Sequence, residues 1–267
     1  MKKTIFFLAF SLISLLFSCK SEFEKIRSSG DADKILKKAN EYYGQKKWQK
    51  AQALYEIVLP TLKGSLASEQ VYYKYAWTQY NLNNYILGNY YFKNFSDTYT
   101  NSPLREECAF MAAKCHYNLS PDYKLEQSYT EKALDDFQTF VNTFPTSQKV
   151  RECNKLIDEL RRKQEKKAFE EGNLYYRLRQ YQSALISFDN LLKDFPESPD
   201  VEQTRFLVVK SAYLLAENSV VAKKQDRYEM VLKKCQEFLA KHPNSKLAKE
   251  VNDINNSSTQ KLKSIRK

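Results

Sequence analysis

The chain has 267 residues, of which 42% are hydrophobic, and a formal net charge of +11. This length and apolar content accommodate one or two ordinary domains with a buried core. With only five glycines and seven prolines, the chain has few of the residues that the turns of a many-stranded fold require, so its composition favours helices over sheets.

The N-terminus has the pattern of an export signal. Lys2 and Lys3 precede an apolar run of 13 residues, 5–17, which ends shortly before Cys19. A membrane-spanning helix needs about 20 apolar residues, so this run predicts a signal peptide over residues 1–18. Its removal lowers the formal charge from +11 to +9. Because exported proteins meet little nucleic acid, we expect the basic surplus to favour anionic lipid headgroups or an acidic protein, and no nucleic acid.

The segment 16–19, Leu-Phe-Ser-Cys, resembles the bacterial lipoprotein box. The resemblance implies cleavage before Cys19 and attachment of diacylglycerol and an acyl chain to that residue, and no other cofactor is expected. Burial of acyl chains contributes about 0.8 kcal/mol per methylene, so several chains together anchor a protein stably at a membrane. The alternative is an ordinary secretory signal in which the cysteine is incidental.

Three residue series recur along the rest of the chain at corresponding positions. A small residue followed four positions later by tyrosine occurs at 39/43, 76/80, 113/117 and 172/176. A second series places a small or apolar residue before two larger ones, at 51/55/58, 88/92/95, 133/137/140, 184/188/191 and 231/235/238. Segments that end in serine close four of the units, at 99–102, 144–147, 195–198 and 242–245.

This pattern predicts pairs of helices of the tetratricopeptide-repeat (TPR) type. A small residue lets two helices approach closely, and the aromatic residue of the next turn fills the space beside it. Since each pair buries a face of its neighbour, we expect an all-α, right-handed superhelix, or α-solenoid, of about five pairs. Beyond the signal peptide, the predicted organisation is a lipidated tether at 19–30, three repeats at 31–148, a long connecting helix with two repeats at 149–252, and a flexible basic tail at 253–267.

Three segments depart from the period. Residues 120–129, SPDYKLEQSY, lengthen one turn, and we expect their aromatic side chains to be packed. A long helix with many Glu/Lys and Glu/Arg pairs is predicted over 150–172. The fifth repeat has a degenerate first helix followed by a basic loop at 220–227.

Residues suited to catalysis are few. His116 and His242 occupy unrelated repeat positions, and the chain has neither a glycine-rich phosphate loop nor a nucleophile elbow. We therefore predict no catalytic residue and no metal site. Beyond Cys19 we interpret the cysteines as buried structural thiols, with a long-range disulfide or a metal or catalytic role as alternatives. They are Cys108, Cys115, Cys153 and Cys235.

Aromatic residues outside the predicted helix-pair contacts indicate a binding surface. On the repeat template, Tyr73, Trp77 and Tyr80 lie at i, i+4 and i+7 on the side that normally forms the concave groove. Phenol and indole rings offer a stacking surface and a hydrogen-bond donor, which suits an extended peptide with alternating aromatic residues. The alternative is that the rings pack between repeats. The predicted peptide groove consists of Asn40, Tyr43, Tyr73, Trp77, Tyr80 and Tyr117.

A second candidate surface is basic. A run of cations at 161–167 on the predicted long helix is either a solvated face or a docking surface for an acidic partner or lipid headgroups. The predicted partner-docking set consists of Arg161, Arg162, Lys166, Tyr176, Arg177 and Arg179.

The order of these features resembles the BamD family, the lipoprotein subunit of the outer-membrane β-barrel assembly machinery. The resemblance rests on the phrase AxEYYxxxxWxKAxxLYExxLP at 39–60 and on DFPES-type repeat ends, after a lipoprotein box and a short tether. It implies a lipid anchor at the periplasmic face of the outer membrane. It also implies docking of residues 170–250 to a BamA-type barrel protein, contact with other assembly subunits, and recognition of the C-terminal β-signals of unfolded outer-membrane proteins by the first repeats.

A different function is open as an alternative, that of a TPR lipoprotein adaptor that organises other cell-envelope enzymes, for example those of peptidoglycan. A third class, solute-gathering surface lipoproteins, usually has a longer chain and a tryptophan-lined pocket. The two tryptophans of this chain argue against that class.

Overall fold

A computed structural model of the protein describes residues 21–62 and 66–266. Within these ranges the regular elements are twelve α-helices and one short 3-10 helix, with no strand. The all-α class expected from the composition is therefore confirmed. The predicted signal peptide and Cys19 lie outside the described residues.

The helices follow one another at short intervals. Their bounds are α1 Glu22–Arg27, α2 Ala32–Gly44, α3 Trp48–Val58, α4 Leu66–Asn81, α5 Tyr85–Thr98, α6 Arg105–Leu119, α7 Ser128–Thr143, α8 Val150–Arg177, α9 Tyr181–Asp194, α10 Val201–Glu217, α11 Val221–Lys241 and α12 Ala248–Ile265. The 3-10 helix, Leu59–Leu62, follows α3 directly.

Five helix pairs correspond to the predicted repeats: α2/α3, α4/α5, α6/α7, α8/α9 and α10/α11. Three pairs turn through a residue in the left-handed region, since Lys46, Asn83 and Arg179 have φ of 56°, 60° and 59°. The next backbone N–H at each turn donates to a carbonyl five residues back, at 2.9 Å. This cap reverses the chain within three residues, so the two helices of a pair run antiparallel. The prediction of about five TPR-like pairs is confirmed.

Contacts divide the chain into two compact units. Within the described residues, the first unit contains 21–62, 66–121 and 128–155, and the second contains 122–127 and 156–266. The division falls inside α8 and not at the predicted boundary of 148. Part of the insertion therefore groups with the second unit, although its neighbours in sequence belong to the first.

In the α8/α9 pair a small residue lies directly against a buried aromatic ring. A Cβ atom built on Gly172 would lie 2.5–2.9 Å from three ring atoms of Phe188, which is closer than side-chain atoms approach. The residues that correspond to Phe188 in the five second helices are all fully buried: Tyr55, Phe92, Phe137, Phe188 and Cys235. These positions are structural, as their spacing in the sequence predicts.

The serine that ends each of four units ties the unit back to its own first helix. Its Oγ accepts a hydrogen bond from the backbone N–H two residues later, at 2.9–3.1 Å, and donates to a glutamate carboxylate. The pairs are Ser102–Glu69 at 2.5 Å, Ser147–Glu106 at 2.6 Å, Ser245–Glu202 at 2.6 Å, and Ser198–Glu165. This charge-assisted link orders the turn and so sets where the next first helix begins.

Within the predicted tether, residues 22–27 form the helix α1. Ser21 accepts a hydrogen bond from the backbone N–H of Glu24 and caps this helix. Phe23 packs against Tyr42, with ring centroids 6.1 Å apart. Phe23 and Ile26, the apolar residues of this mostly polar segment, thus hold it on the first helix pair.

The expectation of a flexible tail is wrong over 253–265, which continue α12. Val251, Ile254, Ser258 and Leu262 are buried on one side of this helix. They lie at i, i+3, i+7 and i+11, which is the stripe of an amphipathic helix. The Asn- and Ser-rich composition of the solvent side hid that stripe.

The basic segment at 220–227 is also not a loop over most of its length. Residues 221–227 form the first two turns of α11, which begins at Val221. The preceding helix α10 is regular from Val201 to Glu217, although its sequence departs from the repeat pattern.

We predict opposite effects of alanine at two helical glycines. Gly172→Ala should lower the free energy of unfolding by about 1–3 kcal/mol, because the new methyl group would displace the Phe188 ring. Gly44→Ala is the matched control: a Cβ there meets nothing within 4 Å, so alanine should raise stability by up to about 1 kcal/mol through its helix propensity. Denaturant titration measures both. A Gly172→Ala protein as stable as the wild type would contradict the close contact.

Candidate functional site

The first helices of the first unit form a surface that we call the first-helix surface; it comprises α2, α4, α6 and the first turn of α8. Polar side chains join each of these helices to the next. The links are Lys74 Nζ to Asn40 Oδ1 at 2.8 Å, Tyr73 OH to Glu107 Oε2 at 3.2 Å, Asn118 Nδ2 to Tyr80 OH at 3.2 Å, and the Lys114–Glu152 ion pair at 3.9 Å. The side chains of this surface are therefore held in place by partners on neighbouring helices.

Three aromatic residues run along α4 at the centre of this surface. The ring centroids of Tyr73 and Trp77 are 6.4 Å apart, those of Trp77 and Tyr80 are 5.5 Å apart, and both contacts are edge-on. Trp77 also meets Phe92 of the paired helix at 5.5 Å, nearly perpendicular. All three rings on α4 are half-buried. Each ring thus packs on one side and leaves the other side accessible.

The remaining groove residues lie on the neighbouring first helices. Asn40 accepts hydrogen bonds from Lys74 and from Tyr55 OH, the latter at 3.0 Å. Tyr43 stands edge-on to Trp48 at 5.4 Å. The ammonium of Lys114 lies 4.7 Å from the ring centroid of Tyr117. The structure places all six predicted groove residues on the first-helix surface, half-buried, so packing and accessibility coexist there.

Two phenols of this surface have a raised pKa. Burial, together with the nearby Glu107 carboxylate, raises the pKa of Tyr73 to about 12. The same two causes raise the pKa of Tyr43. Lys74 binds a neutral amide, and no carboxylate of the described residues forms an ion pair with it. The surface thus offers half-buried ring faces and a cation whose charge is not neutralised.

The second unit repeats this arrangement between α10 and α12. Lys210 forms an ion pair with Glu250 at 3.0 Å, and Tyr213 OH lies 3.2 Å from Ser257 Oγ. Lys261 donates to Tyr213 at 3.2 Å. Tyr213 belongs to the series of Tyr80, Tyr117 and Tyr176, because each lies eleven residues after the glutamate of a Ser–Glu pair.

Sequence analysis missed Tyr213 because Val209 occupies the place of the small residue four positions earlier. Four glutamates recur with the repeats, at 69, 106, 165 and 202, with spacings of 37, 59 and 37 residues. Counting eleven residues from Glu202 would have identified Tyr213 from the sequence.

The predicted docking set falls into separate groups along α8. Arg161 and Arg162 are exposed, and Arg177 and Arg179 are exposed at the far end of the helix, about 24 Å away at 1.5 Å per residue. Tyr176 is half-buried against Tyr181, with ring centroids 5.9 Å apart. The docking residues therefore do not form one patch within the second unit.

Part of the basic run holds the insertion. The ammonium of Lys166 lies 4.5 Å from the ring centroid of Tyr123, and Lys167 Nζ donates to the Leu125 carbonyl at 2.6 Å. The buried Gln127 amide donates to the carbonyls of Asp122 and Leu125, at 2.9 Å each. As expected, the insertion's Tyr123 is packed and not free, and Lys166 is already engaged inside the second unit.

The groups with possible reactivity have structural partners. His116 Nδ1 lies 2.7 Å from Asp136 Oδ2, beside Asn89. His242 packs against Phe238 at 5.3 Å. Within the described ranges, no three His, Cys, Asp or Glu side chains come together as a metal site.

The four described cysteines are unpaired and fully buried. Burial raises the pKa of Cys108, and raises the pKa of Cys115 and of Cys235 to about 12. The pKa of Cys153 is raised to about 11 by burial and by Glu152. Such thiols stay protonated near neutral pH, so they are poor nucleophiles and poor metal ligands.

One protein-family model matches most of the chain. The family model described as YfiO, outer membrane lipoprotein, matches residues 28–227. The chain belongs to this family. It is the BamD family that the repeat phrase and the lipoprotein box indicated. Family members are outer membrane lipoproteins of the TPR type. Among the residues that the structure describes, no helix combines the length and the apolarity needed to cross a bilayer.

Two solved structures of TPR proteins have low sequence identity to the chain. One solved structure, the TPR2AB domain of yeast Sti1 with pHSP90, is 13% identical and has a TM-score of 0.38, with 85% of this chain and 98% of that chain covered. Another, the thermophilic TPR protein TTC0263 of Thermus thermophilus, is 15% identical with a TM-score of 0.32, and the covered shares are 86% and 100%. At these TM-scores the two likenesses add nothing to the helix pairs seen directly. Comparison with curated proteins gave no match.

We predict that the four buried thiols of the native protein resist modification. At pH 8 a disulfide reagent should react with them only after unfolding, because each is fully buried and its pKa is raised. A Ser29→Cys variant, exposed on the surface, is the positive control and should react at once. Rapid native reaction at any of the four positions would contradict their burial.

Proposed function

We propose that this chain is a non-catalytic scaffold of the β-barrel assembly machinery, held at the periplasmic face of the outer membrane by lipid on Cys19. In this role it binds the periplasmic domains of a BamA-type barrel protein and contacts other assembly subunits. It also helps to recognise the β-signals of unfolded outer-membrane proteins. Membership in a family of outer membrane lipoproteins supports the location, and the first-helix surface supports the recognition of peptides.

The observation that carries the peptide-binding role is the half-buried row of Tyr73, Trp77 and Tyr80. Rings fixed by edge-on contacts lose little conformational entropy when a peptide side chain stacks on them. The Tyr80 hydroxyl accepts a hydrogen bond from Asn118, so its own proton is available to a peptide carbonyl. An extended segment with aromatic residues at alternate positions suits this row, since alternate side chains of a strand point to one face.

Lys74 supplies the charge that a C-terminal segment requires. Its ammonium lies on the same helix as the aromatic row and is bound to the neutral Asn40 amide. A terminal carboxylate on the peptide would replace that neutral partner with an anion, and charge-assisted hydrogen bonds are about twice as strong as neutral ones.

We predict that a photo-crosslinker at position 77 captures a peptide that ends in an aromatic β-signal. The residue lies at the centre of the row, so the bound peptide should pass within reach of it. A crosslinker at Tyr90, which is 59% exposed on the second helix of the same pair, is the matched control and should capture little. Capture at 90 without capture at 77 would move the site away from the first-helix surface.

We predict that Lys74→Gln weakens binding of the free-acid peptide about tenfold, equivalent to about 1.4 kcal/mol, and leaves the amidated peptide unaffected. Lys93→Gln, an exposed lysine of α5, removes the same charge away from the surface and should change neither affinity. Titration calorimetry with the two peptides separates the outcomes. Equal loss for both peptides would exclude recognition of the carboxylate while leaving the aromatic row in place.

We predict that the lipidated protein retains a BamA-type barrel protein when pulled down from solubilised outer membranes. Arg177→Glu with Arg179→Glu should reduce the retained amount at least about tenfold, because both side chains are exposed and an acidic partner would then be repelled. The corresponding change at Lys193 and Lys241, also exposed in the second unit, is the control. If the wild type retained peptidoglycan enzymes and no barrel protein, the adaptor function would replace this one.

A further inference from the structure

The second helix of the fifth pair, α11, is longer at its N-terminal end than α3, α5 and α9. Helix α11 begins ten residues before Val231, whereas α3, α5 and α9 begin three residues before the corresponding small residue. The seven additional residues lengthen the helix by about 10 Å. We call residues 218–224 the fifth-pair tip.

Hydrogen bonds hold the fifth-pair tip in one conformation. Asn218 Nδ2 donates to the Leu214 carbonyl at 2.7 Å, and Ser219 Oγ donates to the Leu215 carbonyl. Arg227 from the second turn of α11 donates to Ser219 Oγ. The tip is therefore a hydrogen-bonded extension of the helix pair.

The fifth-pair tip carries the two most exposed large apolar side chains of the described residues. Val220 is 67% exposed and Val221 is 77% exposed. They are adjacent in sequence, at the end of the turn and the first position of α11. Adjacent exposed apolar residues on an ordered projection mark an interaction site more strongly than scattered ones.

The charge around the valines is positive. The nearby acids Glu217 and Glu229 form ion pairs with Lys261 and Arg266 of α12. Lys223 and Lys224 follow the valines directly and, within the part of the chain that the structure describes, enter no ion pair. Asp226 and Arg227 offset each other in formal charge. The tip thus combines two apolar side chains with two cations.

We propose that the fifth-pair tip binds the surface of an anionic phospholipid bilayer, with Val220 and Val221 in the interfacial region and Lys223 and Lys224 on lipid phosphates. A stable protein partner needs about 800 Å² of each surface, which a convex apex of four side chains does not supply. A lipid surface deforms around such an apex and provides both phosphate and apolar chain ends.

Contact between the tip and a bilayer is weak by itself. Membership in a family of outer membrane lipoproteins adds a lipid anchor that keeps the protein near a bilayer. A lipoprotein of the outer membrane is held beside a bilayer, so a second contact with that bilayer forms at high effective concentration. Such a contact would fix the orientation of the second unit relative to the membrane. This inference depends on the membrane location and not on peptide recognition or on any protein partner.

The test uses the full lipidated protein in nanodiscs, with an environment-sensitive fluorophore on a Val221→Cys variant. The four native thiols are buried, so the label attaches selectively. In nanodiscs of phosphatidylcholine with phosphatidylglycerol, emission should shift to shorter wavelength and be quenched by lipids that carry a spin label on the acyl chain. The same label at Ile186→Cys, where the native side chain is 55% exposed on α9, is the control and should show neither effect.

Charge variants separate lipid binding from other causes of the shift. Lys223→Gln with Lys224→Gln should lower the ratio of inserted to free tip about tenfold, whereas Lys233→Gln with Lys241→Gln, the same charge change lower on α11, should not. In nanodiscs of phosphatidylcholine alone, the protein with both lysines intact should give the same reduced emission shift that the charge variant gives in the mixed nanodiscs. Identical spectra at 221 and 186 would overturn the proposal. A shift that appeared only when poly-L-glutamate was added would overturn it in favour of an acidic protein partner.

Discussion

The close contact between a small residue of one helix and a buried side chain of its partner sets the geometry on which the other features depend. At Gly172 there is no room for a methyl group in front of the Phe188 ring. In α4, Ala76 is fully buried, whereas Trp77, one position further and about 100° around the helix, is half-buried. Packing inside the pair thus creates the surface outside it.

That surface is preorganised by links between neighbouring first helices. The hydrogen bond from Tyr73 to Glu107 and the one from Lys74 to Asn40 connect three helices in sequence. The Ser–Glu pairs act at the ends of the same units and place each new first helix beside the last. Side chains on rigid elements with fixed partners lose little freedom on binding, which favours recognition of a flexible peptide.

The two units carry different chemistry on the same repeat. The first unit has a row of half-buried aromatic rings and one cation that is not neutralised. The second unit has exposed arginines at the end of α8 and an apolar, basic projection between α10 and α11.

The sequence by itself determined the all-α class, the five helix pairs and the buried small and aromatic positions, because helix periodicity and close packing depend on residues a few positions apart. Tertiary structure alone decided three matters. Residues 253–265 are helical because the stripe of Val251, Ile254 and Leu262 finds a core to pack on, which a polar composition conceals. The Ser–Glu pairs join residues 33 to 43 positions apart, a distance that local patterns do not register. Lys166 of α8 is taken out of the basic run by Tyr123 of the insertion, which is 43 positions earlier in the sequence.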